Sequence, residues 1–379
     1  MKDNIYINYG KNPIKMTNDL MEKAKVSKYL KSDMKVIIKP NLVLPSSTKN
    51  GATTHSEIVE GIIKYLQTQN ITDISIAEGA WVGEKTTTEA FKVCGYTDLS
   101  KRYDINLIDT KKEETIDYEI ENIRFRVSKI FQETDYLINV PVLKGHCQTK
   151  LTNCLKNLKG CIPDKDKRYY HNIGLHKPIA LLNTLLKPDL HIIDSICGDL
   201  TFEEGGNPIE SNRILLGYDG LLLDSYCSRL IAYNPEEIEY ITYSAKYNVG
   251  KLFDEHTKII ELNKSNKDNK DFIKSELAKE LERYVDENSA CSPCYAGLIF
   301  ALNKAENNPK DSLNNNNEKN NNENEKNNNK IRIGQGFKGQ TNDEDLGIGD
   351  CCKNFSKYVK GCPPSGLDIL NYLNSFEFD

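Results

Sequence analysis

The stretch MKVIIKPNLVLPSSTKNGATTHSEIVEGIIKYLQTQNITDISIAEGA, residues 34–80, decides the fold. Its first part, MKVIIKPNLV (34–43), is an apolar run that reads as a buried strand ending in a loop. In HSEIVEGIIKYLQTQN (55–70), Ile58, Ile62, Ile63 and Leu66 recur at helical spacing, and Ser56 is placed to cap the first turn. DISIAEGA (73–80) is a second short strand. Strand, helix and strand in that order predict an α/β domain on a mostly parallel sheet flanked by helices.

The same alternation runs outward to about residue 235. INLIDT (105–110), DYLINVPVL (135–143), LHIIDSI (190–196) and RILLGYD (213–219) read as further strands, and GLLLDSYCSRLIAY (220–233) as a helix. Residues 1–235 are therefore expected to form one α/β domain. Residues 236–379 are expected to form a smaller C-terminal subdomain that contains cysteines. In it, TKIIEL (257–262) reads as a strand, and Ile273, Leu277, Leu281 and Val285 mark an amphipathic helix. The asparagine-rich run 307–330 is too polar to order itself and is expected to be a disordered insertion.

With 379 residues the chain exceeds the size at which one core is usual. Its formal net charge of −5 supplies no basic field for a nucleic-acid backbone, so nucleic acid is excluded as a partner. No run of about 20 apolar residues is present, and MKDNIYINYG lacks the apolar centre of a secretory signal, so no membrane role and a cytoplasmic location are expected. The 11 cysteines are odd in number and, in a reducing compartment, do not make a disulfide framework.

Four of them have the setting of a metal site. Cys291 and Cys294 form CSPC, where Ser292 and Pro293 suit a helix start, so Cys294 would sit in a first turn that favours thiolate. Cys351 and Cys362 lie in DCCKNFSKYVKGCPP, and Ser365 and Asp368 are spaced as a capping box for a helix just after Cys362. Glycine and proline punctuation argues against plain buried cysteines. Structural zinc prefers two close pairs, but ten residues separate Cys351 from Cys362, so an iron–sulphur cluster of the [4Fe–4S] type is expected, with zinc as the alternative. Cys351 is taken as the ligand and Cys352 as its substitute. Cys147, Cys154 and Cys161 recur every seven residues and read as a buried helical stripe.

Open parallel sheets bind ligands beyond the carboxyl ends of their strands. Lys39, Asn41, Glu78, Lys144, His146, Asp194 and Ser195 follow the apolar runs there, and lysines beside glycine turns suit a carboxylate or phosphate. Each of them also reads singly as a solvated strand end. Lys156, Asn157 and Lys159 fall off the cysteine stripe and are free to face a ligand, and EEGGNP (203–208) offers a loop acid or a simple turn.

Taken together, KPNLV (39–43), TTH (53–55), LKGH (143–146), LKNLKGCIPDKDKRYYH (155–171), IIDSI (192–196) and EEGGNP resemble the family named domain of unknown function 362. The resemblance covers roughly residues 35–235. It implies a prokaryotic, often anaerobic, setting with iron–sulphur chemistry nearby, because several members are joined to ferredoxin-like domains. Carried over by position, it implies His55, His146 and Glu204 as catalytic residues and Lys39, Asn41, Lys144, Lys156 and Asn157 as substrate-binding ones. The chain lacks the ferredoxin run C-x2-C-x2-C-x3-C-P, whereas GCPP with its adjacent cysteine pair is locally similar to the small subunit of respiratory complex one. Three functions remain open on these residues: a redox or lyase-type enzyme for a small anionic substrate, an electron carrier docking a redox partner protein, and a binding protein with structural zinc.

Overall fold

The computed structural model describes residues 2–264, apart from 82, 84, 147, 200–202, 204, 206, 207 and 232, and residues 284–375, apart from 289, 291 and 307–329. The asparagine-rich run and most of the amphipathic helix expected through Ile273 and Leu281 lie outside the described residues, and Val285 instead begins a strand. Two compact units are present, Met1–Ile273 and Lys274–Asp379.

The first unit is built on an eight-stranded sheet. Its members are β1 (Asn4–Tyr9), β2 (Val36–Pro40), β3 (Ile74–Glu78), β4 (Asn106–Asp109), β7 (Tyr136–Val140), β10 (Leu190–Asp199), β11 (Pro208–Gly217) and β12 (Lys258–Glu261), in the order β12-β1-β11-β10-β7-β2-β3-β4. Two hairpins, β5 (Thr115–Ile120) with β6 (Ile123–Ser128) and β8 (Lys144–His146) with β9 (Lys150–Thr152), stand apart from it. Within the sheet only β11 runs against its neighbours, so the expected mostly parallel architecture is the one found.

Both faces of the middle of this sheet are covered, which is why β2, β3 and β7 are buried along their whole length instead of alternating. Ile37, Ala77, Leu137, Ile193 and Leu215 pack with the helices Cys154–Asn157, His176–Leu185, Gly220–Leu230 and Glu239–Lys246. Val36, Ile38, Ile76, Ile138 and Ile214 pack with the helices Pro13–Lys23, Ser56–Thr68, Thr86–Val93 and Tyr96–Tyr103. In Ser56–Thr68 the residues Ile58, Ile62, Ile63 and Leu66 are all fully buried. Each such side chain contributes about 1.5–3 kcal/mol, counted against a fully exposed reference.

Three local expectations change. His55, not Ser56, is the N-cap of that helix, and its own backbone N–H is taken by Asp194. The segment 147–161 is not one helix, since β9, a single helical turn (Cys154–Asn157) and a 3-10 turn (Leu158–Cys161) follow one another. Cys154 and Cys161 are nonetheless fully buried, as a core stripe would be, while Cys147 lies outside the described residues. The first unit also continues past residue 235, because β12 pairs in parallel with β1 and the helix Glu239–Lys246 packs on His176–Leu185.

The second unit holds a parallel four-stranded sheet of β13 (Val285–Glu287), β14 (Ile331–Ile333), β15 (Leu346–Ile348) and β16 (Lys357–Val359), in that order. Two helices, Ser292–Glu306 and Gly366–Ser375, pack against each other. The second begins after Ser365, whose Oγ accepts from Asp368 N at 3.0 Å and donates to Asp368 Oδ2 at 2.6 Å, so the Asp368 carboxylate meets the serine hydroxyl in place of the backbone N–H of the expected capping box. Among the described residues no helix is long and apolar enough to cross a membrane.

Candidate functional site

Strand β2 is where the sheet reverses its order: the chain passes from β2 outward to β3 and β4, then returns to β7 on the other side of β2 and continues to β10. Crevices at such a switch point bind ligands in open α/β sheets. A cleft opens here, lined by Asn41, Glu78, Trp81, Lys156, Lys159, Lys167 and Glu203 among others.

Its floor is an ion pair. Lys39 Nζ is fully buried, 3.0 Å from Glu78 Oε2 and 3.1 Å from the Pro40 carbonyl that it also donates to. Glu78 accepts in addition from the backbone N–H of Gly79 (2.7 Å) and of Leu42 (3.2 Å), so the carboxylate is satisfied without water. The pair fits under the 158–161 turn because residue 160 is glycine: a Cβ there would lie 2.6 Å from Lys39 Nζ and collide with Glu78 Oε1.

Beside the pair runs a chain of buried amides. Lys144 Nζ donates to Asn41 Oδ1 (3.0 Å), Asn41 Nδ2 to Asn157 Oδ1 (2.8 Å), Asn157 Nδ2 to Asn139 Oδ1 (2.7 Å), and Asn139 Nδ2 to the Cys154 carbonyl (2.9 Å). Lys144 also donates to the carbonyls of Ala52 (2.6 Å) and Glu203 (2.9 Å). An ammonium has three protons, so Lys144 ties three loops together and holds none of them for a ligand.

The carboxylate that enters the cleft is Glu203. Glu204, the residue implied by resemblance, lies outside the described residues. Glu203 Oε1 accepts from Lys156 Nζ, and Oε2 lies 3.1 Å from His146 Nε2. Backbone N–H groups of Gln148 and Thr149 donate to His146 Nδ1 at 3.1 and 3.0 Å, which fixes the proton on Nε2, facing Glu203. Burial, then Lys156, pushes the His146 imidazole down to about 4, so the ring is a neutral donor. Burial opposes the Glu203 charge, but Lys156, His146 and Lys144 outweigh it and hold the carboxyl well below the usual range. With both ring nitrogens engaged, His146 orients Glu203.

Across the cleft stand groups that strand-end reasoning had not singled out as functional. Lys159 Nζ lies 3.1 Å from His171 Nε2 and 5.7 Å from the centre of the Trp81 ring, which His171 meets edge-on. Burial and the neighbouring Lys159 hold the His171 pKa well below its usual value. Lys167 Nζ donates to the carbonyls of Gly79 (2.8 Å) and Ala80 (2.9 Å), and burial pushes it down to about 8 despite Asp164 at 3.5 Å. Lys159 was already marked by its place off the cysteine stripe, whereas the roles of Lys167 and His171, on the helix Asp164–Ile173, emerge from tertiary contacts.

His55 is not among the residues lining the cleft. Its Nδ1 and backbone N–H both bond Asp194 Oδ2, at 2.8 and 2.7 Å. Burial disfavours its charge, but Asp194 outweighs this and holds the pKa above the usual value. Another missed carboxylate, Asp224, is fully buried and accepts from the N–H groups of Cys154 (2.8 Å) and Leu155 (3.2 Å). It thereby caps, from a distant helix, the turn that carries Lys156 and Asn157.

In the second unit Cys294 lies in the first turn of Ser292–Glu306, as expected. Its Sγ is 3.7 Å from the point where a Cβ on Gly349 would lie. Asp350 N donates to the Gly361 carbonyl (2.8 Å) and Gly361 N to Asp350 Oδ1 (2.9 Å), which brings the neighbours Cys351 and Cys362 onto adjoining backbone. Cys352 differs from them. It is fully buried among Phe337 and Phe355, its Sγ donates to the Arg332 carbonyl at 3.5 Å, and burial pushes its thiol up to about 11. Cys291 lies outside the described residues, and among the described ones no three potential metal ligands are clustered.

Comparison with known proteins bears mainly on the first unit. The chain is 24% identical over 233 residues to the thylakoid-associated protein sll1697 of Synechocystis sp., covering 59% of this chain and 70% of that protein. Among solved structures it is similar to the lactate racemase apoprotein of Thermoanaerobacterium thermosaccharolyticum, with a TM-score of 0.40, 14% identity and coverage of 60% of this chain and 57% of that one. A Thermotoga maritima protein matches with a TM-score of 0.38 and 13% identity, over 63% of this chain and 60% of the other. This chain thus spans less than two thirds of either solved chain. The model of the family described as Domain of unknown function (DUF362) matches residues 36–229, just over half of the chain, from β2 to the helix after β11. This chain belongs to that family.

Proposed function

We propose that the protein is an iron–sulphur enzyme whose α/β unit binds a small anionic substrate in the cleft at the end of β2. One observation carries the reading. Among the described residues the side chains of Lys156, Lys159 and Lys167, each at most 8% exposed, converge on a single crevice at the switch point, together with the carboxylates Glu78 and Glu203. Lysines gathered in a crevice at a strand-end switch point suit an anionic ligand. Lys167, brought down to about 8, is the group in the cleft best matched to giving up and regaining a proton near neutral pH.

The donor chemistry of the second unit fits a cluster: thiols at a helix start and at adjoining backbone turns, with Cys352 turned into the core. Cys291, Cys294, Cys351 and Cys362 would hold it. When bound, such a cluster supplies electron transfer or Lewis acidity.

Anaerobic purification tests the reading. Brown protein with absorbance near about 400 nm and iron matched by sulphide is the expected result. Colourless protein with zinc and no iron would leave the zinc-binding alternative in its place. For the cleft, Trp81 is the only tryptophan in the chain, so its fluorescence reports ligand directly. It should respond to small anions in the wild type and lose that response in Lys156→Ala.

A further inference from the structure

Glu203 sits in the cleft as a bound ligand would. Lys156 Nζ and Thr152 Oγ1, the latter at 3.4 Å, both reach its Oε1, and His146 Nε2 reaches Oε2 at 3.1 Å. Lys156 also donates to Thr152 Oγ1 at 3.1 Å, which leaves the threonine proton for the carboxylate. Donors from two hairpin strands and a helical turn thus meet the two oxygens of one carboxylate.

We propose that these donors form a carboxylate subsite, that Glu203 is its resident occupant, and that the carboxylate of a small organic acid takes its place. The inference rests on the reading of the cleft as an anion site and names its ligand class. Three observations carry it. The seat is built, since the Lys156 side chain is 4% exposed and that of His146 is fully buried, both held by protein partners. The occupant is the most open member, its side chain 12% exposed. The Glu203 carbonyl accepts from Lys144 at 2.9 Å, so the backbone is anchored and the side chain is the part that would exchange.

Charge and shape select the ligand. With His146 neutral, the seat carries one formal positive charge, that of Lys156, and matches a monoanion. Donors spread over two oxygens suit a planar carboxylate better than a tetrahedral dianion.

The experiment compares acetate and inorganic phosphate as probes on the full cofactor-loaded chain, read by Trp81 fluorescence, in the wild type, Glu203→Gln and Glu203→Ala. Removing an internal competitor while leaving Lys156 unpaired should tighten acetate binding at least about ten-fold in both variants. Acetate binding that is unchanged or weaker in folded variants overturns the proposal, since Glu203 would then be part of the receptor. If neither variant folds, the wild type decides: preference for acetate supports the subsite and preference for phosphate overturns it. Failure of both acetate and phosphate to bind any form removes the anion-site reading beneath it as well.

Discussion

Cys154, Cys161 and Cys227 of the α/β unit are fully buried, and burial pushes the last two up to about 12, whereas in the small unit Cys351 is half-buried and Cys362 exposed. Thiolate is the form that binds metal. The first group is therefore inert core, while Cys351 and Cys362 keep their sulphur nearer solvent and Cys294, at 8% exposed, lies between the two. Cys352 sharpens the contrast, because it belongs to the small unit and adjoins Cys351, yet it has the burial and raised pKa of the first group. Environment, not proximity in the chain, sets Cys352 apart from Cys351. The lysines of the α/β unit teach the converse: Lys39, Lys144 and Lys156 are buried with each Nζ facing acceptors already in place.

The contrast can be broken most decisively at the cysteines. Cys294→Ser or Cys362→Ser should release the metal altogether, while Cys154→Ser and Cys161→Ser should retain it, as read by iron and zinc per chain after gel filtration. Metal loss from a folded Cys161→Ser protein would erase the distinction.

Next in size is the buried pair. Lys39→Ala leaves Glu78 charged and unpaired, which should cost about 3–5 kcal/mol in urea unfolding. A loss below about 1 kcal/mol would mean that the pair behaves like an exposed one.

Asp224 contributes a pH signature. Burial raises its carboxyl to about 7, above the unfolded value of about 3.9, so between those limits the folded state binds more protons. Its contribution to stability therefore falls as pH rises from about 4 to 7, by up to about 1.4 kcal/mol per unit. Asp224→Asn does not titrate and should lose this slope; equal slopes in both proteins would show that the carboxylate is satisfied as an anion by its backbone donors. The smallest effect is expected for Cys352→Ser, about 1 kcal/mol of stability with metal content unchanged.

The parallel half of the sheet was legible, because strands buried on both faces are apolar runs: residues 34–43, 73–80 and 135–143 contain β2, β3 and β7. Strand β1 was not, since NIYINY has its partner in β11, more than two hundred residues away. The strands of the small unit are three residues each and too short to show a period. In the cleft, Asn41, Lys156 and Asn157, and behind its lining Lys39, Lys144 and His146, could be found because strand ends and the family motifs marked them. Glu203 stood beside the residue chosen. Lys167 and His171 lie within the motif 155–171 but were not picked out of it, and Trp81 and Asp224 carry no local signal, for their roles arise from partners on other elements.

The reversed strand β11 also sets a timetable. Among the described residues β1 bonds only to β11 and β12, so it has no strand partner until residues 208–217 have been synthesised. At roughly 5–20 residues per second that is a wait of roughly 10–40 s. Meanwhile β2, β3, β4, β7 and β10 can already assemble, and Ile5 and Ile7, fully buried in the finished protein, remain uncovered on the nascent chain. Of the eight strands of this sheet, β1 is made earliest and is among the last to be placed, which makes it the natural segment for a chaperone to hold.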